Sequence, residues 1–248
     1  MKLLLINPNT TAAMTEKVMA VARQVVAPGT QLVGVTGRFG AAYVATRSAY
    51  AIAAHAALDA WAGHADEDHD AVLLACFGDP GLDGLRELSS RPVVGMADAS
   101  IQLAASLGKR FGVVTGGERW GPMLREFVAS RGLLDRLASV QTVAPTGGDI
   151  ARDPEGSLAL LAKACRTAAD EGADTVILGG AGLAGLAAPI RDQVPVPLID
   201  STEASVRMAE AVALLKLATP TTGTFAAPPM VPSIGLSPAL AKKISGLA

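Results

Sequence analysis

The chain holds two cysteines, and only one of them is placed for chemistry. Cys76 ends the apolar run Asp70-Ala-Val-Leu-Leu-Ala-Cys76 and precedes Phe-Gly-Asp-Pro-Gly, which predicts a strand, a tight turn and then a helix. Backbone N–H groups and a helix N-terminus at such a turn would stabilise a thiolate, so Cys76 is the candidate acid/base. The alternative is a small buried hydrophobic residue. Cys165, in the middle of an Ala-rich helical segment, is predicted to be core.

The same pattern returns about a hundred residues later, where Asp174-Thr-Val-Ile-Leu-Gly-Gly180 places Gly180 opposite Cys76. Further along, the segment that ends at Asp98 resembles the segment that ends at Asp200 in sequence. Two such copies predict two similar α/β halves that face each other across a cleft. One half offers a sulfur to that cleft, and the other offers only the hydrogen atom of a glycine.

Polar or glycine-rich turns follow the other predicted strands. Parallel sheets bind ligands at the carboxyl ends of their strands, so these turns are expected to converge on one cavity. Glycine lets backbone N–H groups come close to a carboxylate or an enolate oxygen. The alternative is ordinary turns and, at Asn7-Pro-Asn9, a helix cap. The candidate substrate-binding residues are Asn9, Tyr43, Phe77, Gly78, Thr115, Gly116, Gly117, Ala181 and Gly182.

One motif suggests a different function. Gly180-Ala-Gly182-Leu-Ala-Gly185 follows a predicted strand, with Asp200 about 20 residues further on, as in dinucleotide-binding sites. Too few residues remain after it for the strands that such a site uses, and the matching turn at Cys76 lacks the pattern. The acidic stretch from His64 to Asp70 has no metal-binding spacing and is predicted to be a solvated loop. We therefore expect neither a cofactor nor a metal.

The elements that must position these residues alternate between strand and helix, which predicts parallel sheets flanked by helices. The fold class is α/β, with two pseudo-symmetric lobes and the active site in the cleft between them. Residues 1–97 with 205–248 are expected to form lobe 1, and residues 98–204 lobe 2. A helix is predicted from the Gly-rich turn at Gly180 to about Arg191, another over Ser201–Leu215, and a strap over Thr219–Pro238 with one short helix at its end.

Composition limits the possible partners. Half the residues are apolar, but no run reaches the ~18–20 uncharged residues that a membrane span needs. The net charge is −2 and aromatic residues make up 4%, so neither the charge nor the stacking surfaces of a nucleic-acid binder are present. The N-terminal run is too short for a signal peptide. We expect a cytoplasmic protein that binds a small-molecule substrate, without membrane or nucleic-acid partners, and forms a homo-oligomer.

The chain resembles the aspartate/glutamate/hydantoin racemase family in three correctly ordered stretches: Ile6-Asn-Pro-Asn-Thr10, Ala75-Cys-Phe-Gly-Asp-Pro-Gly81 and Leu178-Gly-Gly-Ala-Gly182. The resemblance implies two pseudo-symmetric lobes and cofactor-independent proton transfer at a carbon next to a carbonyl. Members of the family hold one cysteine in each lobe, on opposite faces of the substrate. Cys76 matches the first of these, Asn9 matches a substrate-contacting position, and Gly180 stands in the place of the second cysteine.

That glycine leaves several functions open. Inversion of a stereocentre requires one group to remove a proton and another to return one on the opposite face. Water or another residue would replace the second thiol in a racemase that acts on a hydantoin or an amino-acid-like substrate. A one-sided decarboxylation is the alternative, as in the related arylmalonate decarboxylases, which use a single cysteine in the other position. A catalytically impaired variant or a small-carboxylate binder remains the third possibility. We predict proton transfer with Cys76 as acid/base.

Overall fold

The computed structural model describes residues 1–220 and 222–245. Two four-stranded, all-parallel sheets form the framework, with strand orders β2-β1-β3-β4 and β6-β5-β7-β8. The second sheet therefore repeats the order of the first, as the internal repeat predicts, and the α/β fold of two similar lobes is confirmed. The strands are β1 Lys2–Asn7, β2 Gln31–Thr36, β3 Ala71–Leu74, β4 Val93–Gly95, β5 Phe111–Gly116, β6 Leu137–Val143, β7 Thr175–Leu178 and β8 Leu198–Asp200.

Helices connect successive strands and cover both faces of each sheet. They are α1 Ala12–Val25, α2 Arg47–Ala62, α3 Leu82–Leu88, α4 Met96–Leu107, α5 Trp120–Ser130, α6 Gly147–Arg152, α7 Pro154–Asp170, α8 Ser201–Leu215 and α9 Pro238–Ser245. Short 3₁₀ helices occupy Leu134–Arg136, Ala181–Leu183 and Ala188–Gln193. None of the helices in the described residues is long and apolar enough to cross a membrane.

The helix predicted from Gly180 to Arg191 is wrong, because two short 3₁₀ helices take its place. Gly185 lies between them with φ +82°, outside the helical region. Its backbone N–H donates to Asp200 Oδ2 at 2.8 Å instead of to a helical carbonyl. The loop after β7 is therefore shaped by its contact with the end of β8.

Side chains along each strand alternate between two hydrophobic cores. One core is shared by the two lobes, and each lobe has in addition an outer core of its own. Leu3 and Leu5 of β1 face the shared core, while Leu4 and Ile6 face the outer core of the first lobe. Successive side chains of a strand point to opposite faces, so an uninterrupted apolar run fills both. Ile177 of β7 faces the same shared core, and its neighbours face the outer core of the second lobe.

Helices α4 and α8 pack side by side between the two sheets. Helix α8 contacts strands β3 and β4 of the first sheet, and α4 contacts β5 and β7 of the second. Ile101 of α4 and Val206 of α8 both belong to the shared core. Each sheet is thus covered on its inner side by a helix that follows the last strand of the other. The residue boundaries of the two lobes stay a prediction.

The chain after α8 returns to the first lobe. Helix α9 packs on α2, and Leu240 is buried in the outer core of that lobe. Lys243 Nζ donates to Asp66 Oδ1 at 2.5 Å, which holds α9 near the loop after α2. The predicted short terminal helix is thereby confirmed over its described residues.

Candidate active site

A small cavity of about 30 Å³ lies between the lobes beside Cys76, and we call it the Cys76 cavity. Its wall includes residues at or just beyond the ends of β1, β3, β5 and β7, as expected from the carboxyl ends of parallel strands. Eight of the predicted site residues line it: Asn9, Tyr43, Cys76, Phe77, Thr115, Gly180, Ala181 and Gly182. Leu183, which follows Gly182 in the same glycine-rich stretch, lines it too.

The remaining three predicted residues lie behind this wall. Gly78 lines a larger neighbouring cavity. Gly116 is covered by the turn before α6, since an added Cβ would come within 2.7 Å of both Ile150 Cδ1 and Pro145 O. The Gly117 N–H donates to Val143 O at 2.8 Å and is therefore used within the fold. Substrate contacts at these three residues stay a prediction.

Cys76 and Gly180 occupy equivalent places in the two lobes. Each stands two positions beyond the end of its strand, at Leu74 in β3 and Leu178 in β7. Both strands are central in their sheets and have the same neighbours in the repeated strand order. The thiol and the glycine therefore border the cavity from opposite lobes.

The setting of the Cys76 thiol differs from the one predicted. Burial, together with the negative charge of Asp79, raises the pKa of Cys76 to about 12. Helix α3 begins only at Leu82, and within the described residues no hydrogen bond reaches the sulfur. The expected stabilisation of a thiolate is therefore wrong. A group with so high a pKa is held as a thiol at neutral pH.

Asp79 fixes the turn that carries Cys76. Its backbone has φ +53°, and its carboxylate accepts hydrogen bonds from the N–H groups of Ala97 at 2.9 Å and Asp98 at 2.7 Å. These N–H groups belong to the first turn of α4, which Asp79 therefore caps. Gly95 makes room, because a Cβ there would overlap the carboxylate. Burial raises the pKa of Asp79 to about 7, although both hydrogen bonds oppose that shift.

Asn9 is oriented by the polar network at the end of β1. Its Oδ1 accepts from Asn7 Nδ2 and from the Thr11 N–H, both at 2.9 Å. Asn7 Nδ2 also donates to Thr15 Oγ1 at 3.0 Å. With Oδ1 engaged and no acceptor for Nδ2 among the described residues, the amide of Asn9 is left as a hydrogen-bond donor beside the cavity.

On the second lobe the wall consists of backbone and one hydroxyl. Gly180 has φ +138°, and its N–H donates to Ser201 Oγ at 3.1 Å. Thr115 Oγ1 donates to Gly179 O at 2.7 Å and would lie 3.6 Å from a Cβ at Gly180. The N–H groups of Ala181 and Gly182 have no acceptor within the described residues. This face of the cavity thus offers hydrogen-bond donors but no sulfur.

Three hydrogen bonds join the two lobes beside the cavity. Tyr43 OH accepts from the Gly147 N–H at 2.9 Å and donates to Gly116 O at 3.5 Å, and burial raises the pKa of Tyr43. Lys17 Nζ donates to Gly182 O at 2.6 Å, and burial lowers the pKa of Lys17. All three bonds join segments of the first lobe to the second lobe.

Sequence reasoning missed four residues of the wall: Met14, Val44, Trp120 and Gly147. Gly147 opens α6, a helix that was not predicted. Its signal was present in Thr146-Gly-Gly-Asp149, where both halves of a capping box form. Trp120 is the first residue of α5, and only the fold brings it to the cavity.

Two features of the glycine-rich loop argue against a dinucleotide site. A Cβ at Gly182 would overlap the Gly147 carbonyl, so the loop is packed against the protein's own backbone, and only a three-residue 3₁₀ helix follows it. Asp200 is occupied as the cap of α8, accepting from Thr202 N–H at 2.8 Å, and is buried. In residues 1–220 and 222–245, no group of three or more His, Cys, Asp or Glu side chains is placed to hold a metal ion.

Fold and site together define a two-lobed α/β protein with its cavity between the carboxyl ends of two parallel sheets. Residues 3–209 match the Asp/Glu/Hydantoin racemase family. The chain is 36% identical over 232 residues to the hydantoin racemase of Paenarthrobacter aurescens, covering 92% of this chain and 98% of that protein. It therefore belongs to the Asp/Glu/hydantoin racemase family and is an enzyme of the isomerase class.

Solved structures support the same assignment. The allantoin racemase of Pseudomonas fluorescens superposes with a TM-score of 0.89 at 35% identity, covering 95% of this chain and 100% of that one. A double mutant of arylmalonate decarboxylase, with one glycine changed to cysteine and one cysteine to serine, superposes with a TM-score of 0.68 at 16% identity. That alignment covers 90% of this chain and 97% of the mutant, and it shows a shared fold.

Proposed function

We propose that the chain catalyses cofactor-independent proton transfer at the C5 carbon of a hydantoin, with Cys76 as the acid/base on one face of the ring. The observation that carries the proposal is the placement of Cys76 and Gly180 at equivalent strand ends on opposite sides of one cavity. The hydantoin and allantoin racemases named above support the choice of substrate class, since 5-substituted hydantoins and allantoin carry a stereocentre next to a carbonyl.

The donors around the cavity match the charge that develops in such a reaction. Loss of the C5 proton moves negative charge onto the neighbouring carbonyl oxygen. The Asn9 amide and the N–H groups of Ala181 and Gly182 are available to bind that oxygen. Cys76 then returns or removes the proton from its own face, and its raised pKa suits a weakly acidic C–H group.

The glycine face makes the two proton transfers unequal. At Gly180 the proton comes from water or through the Thr115 hydroxyl, neither of which is as effective as a positioned thiol. One enantiomer therefore exchanges its C5 proton through Cys76 many times for each inversion. The enzyme acts as a slow racemase and a faster, one-sided exchange catalyst.

Decarboxylation is the second candidate, and the single thiol favours it. Loss of CO₂ from a malonate creates the same kind of carbanion, and one protonation by Cys76 completes the reaction. The double mutant of arylmalonate decarboxylase also carries an introduced cysteine in place of a glycine and lacks a native cysteine. The reaction needs no group on the Gly180 face.

A deuterium experiment tests both candidates. Each enantiomer of a 5-substituted hydantoin is incubated in D₂O, and exchange and optical rotation are followed together. We expect exchange of one enantiomer to exceed its inversion by about 10²-fold, the scale of general acid–base catalysis. Cys76→Ala should abolish the excess, and Cys165→Ala, which removes a core thiol, should not.

Three results would contradict the proposal. Exchange that survives Cys76→Ala removes the thiol from the mechanism. Release of CO₂ from an arylmalonate without hydantoin exchange assigns the decarboxylase. Thermal stabilisation by small carboxylates with no turnover of any substrate indicates a binder. Homo-oligomer formation and a cytoplasmic location stay predictions.

A further inference from the structure

One face of helix α1, from the first lobe, lies against the loop that follows β7 in the second. Met14, Lys17 and Val21 are spaced three and four residues apart and therefore share this face. Met14 lines the Cys76 cavity, and α1 contacts the 3₁₀ helix Ala181–Leu183. Val21 packs on Gly185, where an added Cβ would lie 3.1 Å from Val21 Cγ2. Lys17 stands between these two contacts, so its side chain crosses from one lobe to the other beside the site.

The Lys17 ammonium group is bound to that loop. Its Nζ donates to Gly182 O at 2.6 Å, and in the part of the chain that the structure describes no carboxylate forms an ion pair with it. The side chain is half-buried, and burial lowers the pKa of Lys17, while the charge of Asp200 opposes that shift. Removal of an ammonium group from water costs free energy, and a single hydrogen bond to a backbone carbonyl offsets only part of it. Helix packing at this position does not require the charge.

A chain of backbone hydrogen bonds connects Lys17 to the Cys76 cavity. Each planar peptide unit joins the carbonyl of one residue to the N–H of the next, so Gly182 O and the Leu183 N–H belong to one unit. The Leu183 N–H donates to Gly180 O at 2.9 Å. That carbonyl shares its peptide unit with the Ala181 N–H, which has no acceptor among the described residues, and Ala181 lines the cavity. The ammonium group therefore stands at one end of the chain and the free N–H at the other.

The direction of these bonds determines what the charge does. Hydrogen bonds in a chain polarise one another and strengthen by about 10–30% per bond in a setting of low dielectric. A positive charge on Gly182 O draws electron density through both peptide units and away from the Ala181 N–H. This makes the N–H a stronger donor to an anion. The loop is also held at its other end, because the Gly185 N–H donates to Asp200 Oδ2 at 2.8 Å.

We propose that Lys17 is a positioning residue for the Gly180 face of the site, which orients and strengthens the Ala181 N–H as a donor to the substrate oxygen that becomes negative. Lys17 acts through the peptide groups of Gly182 and Gly180, without contact to the substrate and without transfer of a proton. The inference rests on the proposed function, because that function creates the negative oxygen in the cavity. It assigns a role in the reaction of one lobe to a side chain of the other.

The kinetic test compares Lys17→Met with Lys17→Arg in deuterium exchange of 5-methylhydantoin. The oxygen is charged in the transition state and neutral in the bound substrate, so the loss should fall on kcat, with KM little changed. We expect kcat to be about tenfold lower in Lys17→Met, less than the ~10²–10³-fold loss on removal of an oxyanion-hole donor. Lys17→Arg keeps a charged donor and should recover most of kcat.

Two matched variants separate charge from packing. Arg23→Met removes an exposed charge from the same helix, and Val21→Ala removes packing from the same face without touching the hydrogen bonds. Both should keep kcat near the wild-type value. A wild-type kcat in Lys17→Met, or equal losses in Lys17→Met and Lys17→Arg, would overturn the inference. A loss in Val21→Ala as large as that in Lys17→Met would overturn it too, because packing would then explain the effect.

An NMR measurement on the ligand-free protein tests the chain of hydrogen bonds without turnover. Labelling with carbonyl-¹³C glycine and ¹⁵N alanine selects the Gly–Ala peptide units, which occur at Ala41, Ala173 and Ala181. Lys17→Met should move the Ala181 amide proton signal upfield and leave the other two in place, whereas Lys17→Arg should keep all three. Exchange of 5-methylhydantoin by the wild type together with an unmoved Ala181 signal would overturn this inference alone. Absence of that exchange in the wild type would overturn the proposed function, and this inference with it.

Discussion

The ring of Phe77 lies directly on Gly179, across the boundary between the lobes, so that a Cβ at Gly179 would overlap the ring. Phe77 follows Cys76 and Gly179 precedes Gly180, so this contact sets the separation of Cys76 and Gly180 across the cavity. The distance between the lobes at the site is thus fixed by the absence of one side chain.

Gly179→Ala should therefore reduce activity and stability together. The added methyl group displaces Phe77, and overpacking of this kind costs about 1–3 kcal/mol in the free energy of unfolding. Urea denaturation and deuterium exchange measure the two effects. Gly121→Ala is the matched control, because a Cβ there meets only Thr142 Cγ2, at an ordinary 3.7 Å, inside α5. Wild-type activity in Gly179→Ala would refute the role of this contact.

The Cys76 thiol should react slowly with alkylating agents at neutral pH. Its pKa is raised to about 12, and the thiolate is the nucleophile. In a Cys165→Ala background, the alkylation rate by iodoacetamide should keep rising up to pH 10 without a plateau. A plateau with a midpoint below pH 8 would mean that the thiolate is stabilised, as the sequence had predicted.

Asp79 should make stability fall as the pH rises. Its pKa is raised from 3.8 in the unfolded chain to about 7 in the folded protein, so the folded protein holds the proton more tightly. The contribution of this group to stability is complete below pH 4 and is lost as the pH approaches 7 and passes it. Asp79→Asn should remove this fall between pH 4 and 7 in urea denaturation. Parallel pH profiles for the two proteins would contradict the raised pKa.

Gly180→Cys should improve inversion relative to exchange, at a cost in stability. A φ of +138° is strained for a side chain, and such strain costs about 1–3 kcal/mol. Gly180→Ala carries the same strain without a thiol and is the matched control. Chiral chromatography should show faster racemisation in Gly180→Cys than in Gly180→Ala. Equal rates would mean that residue 180 does not face the reacting carbon.

Sequence patterns correctly located the helices and strands whose boundaries are marked by a turn or capping residue. Helix Ser201–Leu215 has the predicted bounds, because Asp200 marks its start, and a helix follows the turn at Gly81 as predicted. The repeat of strand and turn at Cys76 and Gly180 identified both sides of the cavity. These features are local, and the residues that specify them are neighbours in the chain.

What the sequence did not give depends on contacts between distant residues. Gly185 leaves the helical conformation because Asp200, from the next strand, takes its N–H. The pKa of Cys76 is set by burial between lobes and by Asp79, whose rotation toward α4 depends on the space at Gly95. Trp120 reaches the site only through the packing of α5. None of these long-range contacts produces a residue spacing in the sequence from which it could be predicted.

Helices α4 and α8 also constrain how the protein could be divided. Each follows a strand of one sheet and covers the inner face of the other, so the duplicated halves are interlocked and not merely adjacent. A fragment cut after either half would lose a helix on which its own sheet relies, and the fragments would assemble only by complementation. Interlocking also resists any wide hinge between the lobes.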